Sequence, residues 1–244
     1  YRAEPVVTDR EYDALEDELR LLAPDDPVLK LVGAPVPPDS MLTKATHRIP
    51  MGSQSKVNSI EEFKTWHEKS AHAALHGSLK GDGASAAAYY EDGHLTQCIS
   101  RGDGSVGEDI TANALKFQGL PAYVADGDRA FNGAVRIEVI LTVADWGIVD
   151  PARSKNPRNA GAGIMGRKNG HQSELLTAFA FDLDEQGREF PTESSKTDRL
   201  AELGFGVIRH QLCTTTEEAI AFYEQVVTQR DSLPIWIDGV VLKV

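Results

Sequence analysis

Apolar residues recur at helical spacing in two segments near the start of the chain, and each segment follows a capping box. The first predicted helix begins at the capping box of residues 8–11 and aligns large side chains on one face: Tyr12, Leu15, Leu19 and Leu22. The second begins at Ser59, with Glu62 three residues later, and extends to about Ala74. The proline-rich residues 33–42 lie between the two helices and predict a linker.

From residue 77 onward the pattern changes to short apolar segments separated by turns, which is typical of β-strands. Residues 84–90 and 95–100 flank the turn Glu91-Asp92-Gly93-His94 and predict a hairpin. Further strands are expected at residues 135–143, 175–183 and 235–244, and further helices at 197–203 and 216–228. A helical turn is expected near 108–116, and a loop with a short helical piece at 156–167. Strands joined by hairpins, rather than in regular alternation with helices, indicate an α+β fold.

Composition limits the possible functions. The chain has 244 residues, 41% of them hydrophobic, which suffices for one large core or one domain with a small appendage. Its formal net charge of −12 argues against a protein that binds nucleic acid mainly by neutralising phosphates. Cys98 and Cys213 match no zinc-binding spacing, so we expect two reduced thiols. Because no signal peptide and no long apolar segment are visible, we expect a cytoplasmic protein outside membranes.

The segment Ser78-Leu79-Lys80-Gly81-Asp82-Gly83 carries the most informative chemistry. It places a primary amine beside the carboxylate of Asp82 in a predicted strand, and a charged, glycine-rich loop follows at residues 100–109. Together the two segments suggest that Lys80 forms a covalent bond to a nucleotide phosphate. The motif alone is weak, because a surface lysine before an Asp-Gly turn gives the same pattern.

A lysine nucleophile needs a special environment, because its reference pKa is about 10.4 and the amine is protonated at neutral pH. A nearby carboxylate favours the charged form further, so the site must supply positive charge or a metal ion. Three cations in distinctive segments are candidates: Arg101, Arg158 and Lys243. Glu138 and Asp238 lie on predicted strands and could hold a divalent metal or a ribose.

Several longer segments resemble one family in both order and spacing. They are residues 5–13 with Tyr12-Asp13, His47, Pro50-Met51, Leu79-Lys80-Gly81-Asp82-Gly83, Arg101-Gly102-Asp103-Gly104, Gly107-Glu108-Asp109, Thr111-Ala112-Asn113, Val135-Arg136-Ile137-Glu138, Asn156-Pro157-Arg158-Asn159-Ala160, Ala162-Gly163 and Ile237-Asp238-Gly239-Val240-Val241-Leu242-Lys243. With these segments the chain resembles the bacterial NAD⁺-dependent DNA ligases. The resemblance covers nearly the whole chain.

The resemblance implies a nucleotidyltransferase fold, with antiparallel sheets flanked by helices. It implies a partial helical NMN-binding subdomain and linker at residues 1–38 and an adenylation domain at residues 39–244. It also implies that Lys80 attacks the α-phosphate of NAD⁺, forms lysyl-AMP and releases NMN, with Mg²⁺ as the metal ion.

The same resemblance implies roles for the residues around Lys80. Asp82 and Glu138 would contact the ribose or Mg²⁺, and Lys243 would neutralise the α-phosphate. Other nucleotide contacts are implied for Ser53, Arg101 at the sugar or phosphate, Arg158 at a phosphate of the DNA or the adenylate, Phe181 as the ring stacked on adenine, and Arg230 and Asp238 as support. The cationic NMN half suits an aromatic face and nearby carboxylates, and would be received by Tyr12, Asp9 and Asp13.

The chain departs from the usual pattern of the family at several positions. Ser78 stands where a glutamate that contacts adenine is usual, and Ile137 replaces a glycine and is expected close to the nucleotide. Gly166 stands where an arginine is expected, and residues 53–56 read Ser-Gln-Ser-Lys instead of Ser-Leu-Asp-Asn. These departures leave open a module of the same fold that binds a nucleotide or a DNA end without reacting. An enzyme that uses ATP or joins RNA is a third possibility.

The given sequence ends at Val244, directly after Lys243. In the family, another lysine motif follows this point, and then an OB-fold, a zinc module, helix-hairpin-helix repeats and a BRCT domain. The helix that precedes Pro5 in the family is also absent. We therefore expect a trimmed domain, part of a larger protein or a reduced homologue. We expect a monomer that meets nicked DNA through domains outside this chain and seals nicks poorly alone.

Overall fold

The structure of the protein, a computed structural model, describes residues 7, 9–30, 42–70, 74–149 and 156–244. The α-helices among these residues are α1 (Asp9–Leu22), α2 (Ile60–Ser70), α3 (Thr111–Ala114), α4 (Val143–Trp146), α5 (Pro157–Met165), α6 (Glu193–Glu202) and α7 (Thr216–Gln229). The strands are β1 (Lys44–Thr46), β2 (Leu75–Gly81), β3 (Ala84–Glu91), β4 (His94–Ser100), β5 (Val106–Glu108), β6 (Ala125–Asp126), β7 (Arg129–Ala130), β8 (Gly133–Leu141), β9 (Leu176–Glu185), β10 (His210–Cys213) and β11 (Ile237–Lys243).

Two antiparallel sheets form the body of the molecule. One has four strands in the order β4-β3-β8-β9, and the other has three strands in the order β10-β2-β11. Two small antiparallel pairs, β1-β5 and β6-β7, accompany them. The mixture of helices and antiparallel sheets confirms the predicted α+β class.

Local sequence signals account for several of these elements. Asp92 and Gly93 have φ of 49° and 79° and form the two-residue turn between β3 and β4, as the Asp-Gly sequence predicts. The Ser59 hydroxyl accepts a hydrogen bond from the Glu62 amide at 3.1 Å and caps α2. Thr8, the predicted cap of α1, and most of the predicted linker lie outside the described residues.

Three elements differ from the prediction. The segment expected to be mainly loop is the helix α5, which begins because the Asn156 side chain accepts from two backbone amides and Pro157 occupies the first turn. The helical turn expected near residues 108–116 is only the single turn α3. Helix α6 begins earlier than expected, because Thr192 and Ser195 form a reciprocal capping box.

Each large sheet has its own hydrophobic core. The buried face of β3, β8 and β9 packs with α5 and the segment around Phe205, and Val135, Ile137 and Val139 alternate into this core. The buried face of β2 packs against α7, where Leu75 and Phe222 are almost fully buried. Burial at alternate strand positions leaves the other face of each sheet available for polar side chains.

Helix α1 exposes part of its apolar face. Tyr12 and Leu15 are 57% and 56% exposed, respectively, against the residues that the structure describes. Over this part of the chain, no helix combines the length and the apolar character required to cross a lipid bilayer.

Candidate active site

The amine of Lys80 lies where β2 and β11 meet at a β-bulge. Lys80 pairs with Gly239 and Gly81 pairs with Ile237, so Asp238 is the extra residue of β11. The Lys80 Nζ donates a hydrogen bond to Asp238 Oδ2 at 2.5 Å. Half of the Lys80 side chain is exposed, so the amine remains open to a ligand.

The carboxylate in hydrogen-bond contact with the Lys80 amine belongs to Asp238, whereas the sequence pattern placed that of Asp82 beside this amine. Asp82 lies beyond the end of β2, where its backbone amide donates to the Trp236 carbonyl at 2.9 Å. Its carboxylate faces the guanidinium of Arg158 at the start of α5, with Nη1 and Oδ1 3.5 Å apart. The turn after β2 thus directs Asp82 toward α5.

Glu138 lies on β8, opposite Ser85 of β3. The Ser85 hydroxyl donates to Glu138 Oε2 at 2.6 Å. Burial raises the pKa of Glu138, and the Ser85 hydrogen bond and the positive charges of Arg158 and Lys80 oppose that rise. These electrostatic interactions place Glu138 in the same cluster as Lys80 and Arg158.

The side chain of Ile137 points away from this cluster, although the sequence placed it close to the nucleotide. Its side chain is completely buried in the core of the four-stranded sheet. Successive residues of a strand point to opposite faces, so Glu138 faces the site while Ile137 faces the core. The bulk of Ile137 therefore does not crowd a ligand at Glu138.

Arg101 belongs to the glycine-rich loop between β4 and β5. Its Nη2 donates to the Ser53 hydroxyl at 2.9 Å, and its backbone amide donates to the Ser85 carbonyl at 2.9 Å. Its Nε is buried and has no hydrogen-bond partner among the described residues. A buried guanidinium nitrogen of this kind is a candidate contact for a phosphate or sugar oxygen.

Other residues of the recognised segments hold the loop together. The Asp103 carboxylate accepts from the backbone amides of Ser105 and Val106 at 2.9 and 2.7 Å. A side chain at Gly107 would collide with the Ser100 carbonyl, so only glycine fits there. The Asn113 side-chain amide donates to the carbonyls of Met165, the last residue of α5, and of Arg167 just beyond it. These residues support the architecture of the site rather than forming its surface.

Lys243 lies at the opposite end of the same sheet face. It pairs with His76, four residues before Lys80, which separates the two positions by roughly 13 Å along β2. Its Nζ donates to the Phe181 carbonyl at 3.0 Å and to Glu193 Oε2 at 2.9 Å. The geometry therefore does not support the expectation that Lys243 neutralises the phosphate attacked by Lys80, because its amine is held at the other end.

Phe181 lies at this second end. The register of β8 and β9 shifts between Arg136 and Ile137, which leaves Phe181 as the extra residue of β9. The Lys243 Nζ is 5.8 Å from the centroid of its ring. A concavity of about 370 Å³ opens beside it. The residues that line the concavity are Gln54, Trp66, Asp182, Glu193, Lys196, Leu242, Lys243 and Val244.

Sequence reasoning missed the residues of α6 and β2 at this end. Glu193 and Lys196 lie on α6 and belong to none of the recognised segments, and their signal in sequence is only that of an ordinary charged helix start. His76 is buried, and its ring stacks on His210 with centroids 5.2 Å apart. Burial, His210 and Lys243 lower the pKa of His76 to about 4.

The remaining predicted residues are placed as follows. Arg230 Nη2 donates to the Ile237 carbonyl at 3.1 Å, which fixes the backbone just before the bulge. Gly166 follows α5, and the neighbouring Arg167 folds back onto the carbonyl of His171 and the side chain of Gln172. The side chains of Asp9 and Asp13 lie outside the described residues.

A divalent metal is compatible with only part of this cluster. Among the described residues, no group of three or more histidine, cysteine or acidic side chains could hold a metal ion by itself. Mg²⁺ usually binds through one or two carboxylates together with substrate phosphates and water. Glu138 and Asp82 fit that arrangement if the phosphates arrive with the substrate.

Lys80, its carboxylate partner Asp238 and the nearby Arg158 form a cluster of charged groups on an open sheet face. The family model for the NAD-dependent DNA ligase adenylation domain matches residues 39–244. The chain belongs to this family. It is also similar to proteins named DNA ligase from Treponema denticola (37% identity), Treponema pallidum (34%) and Sorangium cellulosum (34%), in each case over 100% of this chain. It spans only 39%, 31% and 39% of the length of these relatives.

Proposed function

We propose that this chain transfers AMP from NAD⁺ to the amine of Lys80, as the first half-reaction of a DNA ligase. The observation that carries the proposal is the hydrogen bond between Lys80 and Asp238 on an open sheet face. Glu138 and Arg158 lie around that pair. Membership of an NAD-dependent family supports NAD⁺ as the donor.

The proposed step forms a bond between Lys80 Nζ and the α-phosphorus of NAD⁺. The bond between that phosphorus and the bridging oxygen breaks, and NMN leaves with the bond electrons. The amine must lose a proton, and the carboxylate of Asp238 is in hydrogen-bond contact to receive it. Arg101, with its unpartnered Nε, would bind charge on the nucleotide as the step proceeds.

Mg²⁺ bound with the substrate phosphates would neutralise negative charge on the phosphoryl group. Glu138 and Asp82 are the residues that would hold it. Asp82 also contacts Arg158, so the metal ion and the guanidinium would share this carboxylate.

The experiment is an intact-mass measurement after incubation with NAD⁺ or ATP and Mg²⁺. We expect a gain of one AMP with NAD⁺ only, and no gain for Lys80→Ala. Lys116→Ala is a suitable control, because this lysine lies outside the site and donates to the Gly170 carbonyl. Absence of an adduct in the parent chain, with nucleotide binding retained, would leave a binding module and contradict the proposal.

We also propose that nicked DNA is the second substrate, bound largely by parts of the ligase beyond this chain. The names of the relatives and the acidic charge of this segment support that division of labour. A monomer and a cytoplasmic location are part of the same proposal. Residues 1–38 would form the NMN-binding subdomain, with Tyr12 at the nicotinamide, and residues 39–244 would form the adenylation domain.

A further inference from the structure

We propose that Glu193, together with Lys243, reads the base of the nucleotide and makes the site specific for adenine. The inference rests on the proposed function, since it assigns the end of the same site that Lys80 does not occupy. Glu193 is the first residue of α6 and lies in none of the segments that led to the family. Its role would be that of a specificity-determining residue.

The direction of the nucleotide follows from the two ends of the sheet face. The α-phosphate must lie at Lys80, so the base extends along β2 in one of two directions. One leads to the charged pair of Asp82 and Arg158, which suits phosphates. The other leads to the concavity of about 370 Å³ beside Phe181 and Lys243, which suits a flat ring.

The polar groups at the concavity match one edge of adenine. The Lys243 ammonium is a donor and the Glu193 carboxylate is an acceptor, and Nζ and Oε2 are 2.9 Å apart. On adenine, the acceptor N1 and the donor N6 amino group are also neighbours, on the Watson–Crick edge by which extruded bases are commonly recognised. Lys243 facing N1 and Glu193 facing N6 would satisfy both groups and preserve their own hydrogen bond.

Both protein groups are held in place, so the order of donor and acceptor is fixed. Lys243 also donates to the Phe181 carbonyl, and Glu193 also accepts from Lys196 at 2.9 Å. Burial alone would raise the pKa of Glu193, but the hydrogen bonds from Lys196 and Lys243 outweigh it and hold the pKa below its ordinary value. The carboxylate therefore stays an acceptor at neutral pH.

Hypoxanthine tests this order directly, because it has nearly the shape of adenine but carries a donor at N1 and an acceptor at position 6. If hypoxanthine bound in the same orientation, its N1–H donor would face the Lys243 ammonium, which is also a donor. Its oxygen at position 6 would face the Glu193 carboxylate, which is also an acceptor. An unpaired or repelled polar group in a partly buried site carries a substantial penalty. The structure thus predicts a preference for adenine over hypoxanthine.

The experiment compares NAD⁺ with nicotinamide hypoxanthine dinucleotide as donors, using the rate of nucleotide addition to Lys80 measured by intact mass. We expect the parent chain to prefer NAD⁺ by about 20-fold or more in the second-order rate constant of this addition. Glu193→Gln should reduce the preference about tenfold, because its amide can donate to the oxygen at position 6. Glu193→Asp, which retains the charge on a shorter side chain, should keep a preference for adenine.

Glu217→Gln is the matched control, because it removes a carboxylate from the first turn of another helix, α7. It should leave the preference unchanged. A preference that is the same in Glu193→Gln and the parent would overturn the inference, and a thermal melt checks that each variant folds.

Equilibrium binding of AMP and inosine monophosphate, measured by calorimetry, decides the inference even if no adduct forms. A parent chain that binds AMP more tightly, with the difference reduced in Glu193→Gln, supports the base assignment although the proposed reaction fails. Equal affinities in the parent would contradict the base assignment, whatever the outcome of the reaction.

Discussion

Lys80 and Lys243 lie on the same face of one sheet and each binds a carboxylate, yet their surroundings differ. The Lys80 side chain is 50% exposed and its amine contacts Asp238. The Lys243 side chain is only 20% exposed, and its amine contacts both Glu193 and a backbone carbonyl. A nucleophile must leave its partner to form a bond, whereas a binding group gains from being fixed in advance. Under the proposed assignments, the contrast separates a reacting end, at Lys80, from a recognising end, at Lys243.

The largest effect expected at the reacting end is that of Asp238→Asn. The amide keeps the shape but cannot take a proton from Lys80, so we expect the rate of lysyl-AMP formation to fall about 100-fold. Single-turnover intact mass measures this rate. Asp231→Asn, an exposed neighbour in the turn before β11, is the control. A change below about threefold in Asp238→Asn would mean that another group activates the amine.

At the recognising end, the buried His76 predicts a loss of stability in acid. Its folded pKa of about 4 lies below the ordinary histidine value of 6.5, chiefly because the ring is buried. The unfolded state therefore takes up a proton first as the pH falls below 6.5, and the native state loses stability until about pH 4.

Between pH 7.5 and pH 5 this histidine should account for about 2 kcal/mol of unfolding free energy. Urea unfolding of the parent and of His76→Gln at both pH values measures the difference. The groups that act on His76 are His210, Lys243, Glu193 and Asp198. An identical pH dependence in parent and variant would show that His76 titrates normally.

Ser85 offers a finer test of the reacting end. Ser85→Val removes the hydroxyl that donates to Glu138. Ser85→Thr is the matched control, because threonine has nearly the same shape as valine but retains the hydroxyl. A hydrogen bond to a carboxylate is worth about 1.5–3 kcal/mol, so we expect adenylation to slow about tenfold in Ser85→Val and to stay close to the parent rate in Ser85→Thr. Equal losses in both variants would indicate that only packing matters at this position.

Lys196→Met should have the smallest effect. Lys196 binds Asp182 at 3.1 Å and Glu193 at 2.9 Å, but it is partly exposed and Lys243 still contacts Glu193. We expect a loss of stability below about 1 kcal/mol and a small change in the affinity for AMP. Thermal unfolding and calorimetry measure the two quantities. A large loss of AMP binding would place Lys196 itself at the base.

Features of the fold that depend on neighbouring residues were predictable from the sequence. The hairpin turn at Asp92-Gly93 and the cap at Ser59 involve contacts within a few residues. Helix α5 was underestimated because its glycines suggested a loop. Asn156 nevertheless supplies a side-chain cap, and Gly161 packs close to Leu141, with only 3.6 Å between its ideal Cβ position and Leu141 Cβ.

The partners within the site depend on distant segments and were less predictable. Asp82 is two residues from Lys80 in sequence, but the lysine binds Asp238, which is 158 residues away. Glu193 was missed for a related reason, because the packing of α6 against β9, far away in sequence, is what brings it to Lys243. Sequence motifs selected the candidate residues of the site, but they did not predict which of these residues pair with one another.

The bulge in β11 also determines which side chains of the strand point to the same side of the sheet. Asp238 and Lys243 are five residues apart, an odd spacing that would place them on opposite sides of a regular strand. The extra residue between Ile237 and Gly239 brings both onto the side of Lys80 and His76. Consequently, shortening the chain by one residue here would be more harmful than replacing Asp238. Such a deletion would turn either the acid or the distal lysine away, and a single ligand could no longer bridge the two ends.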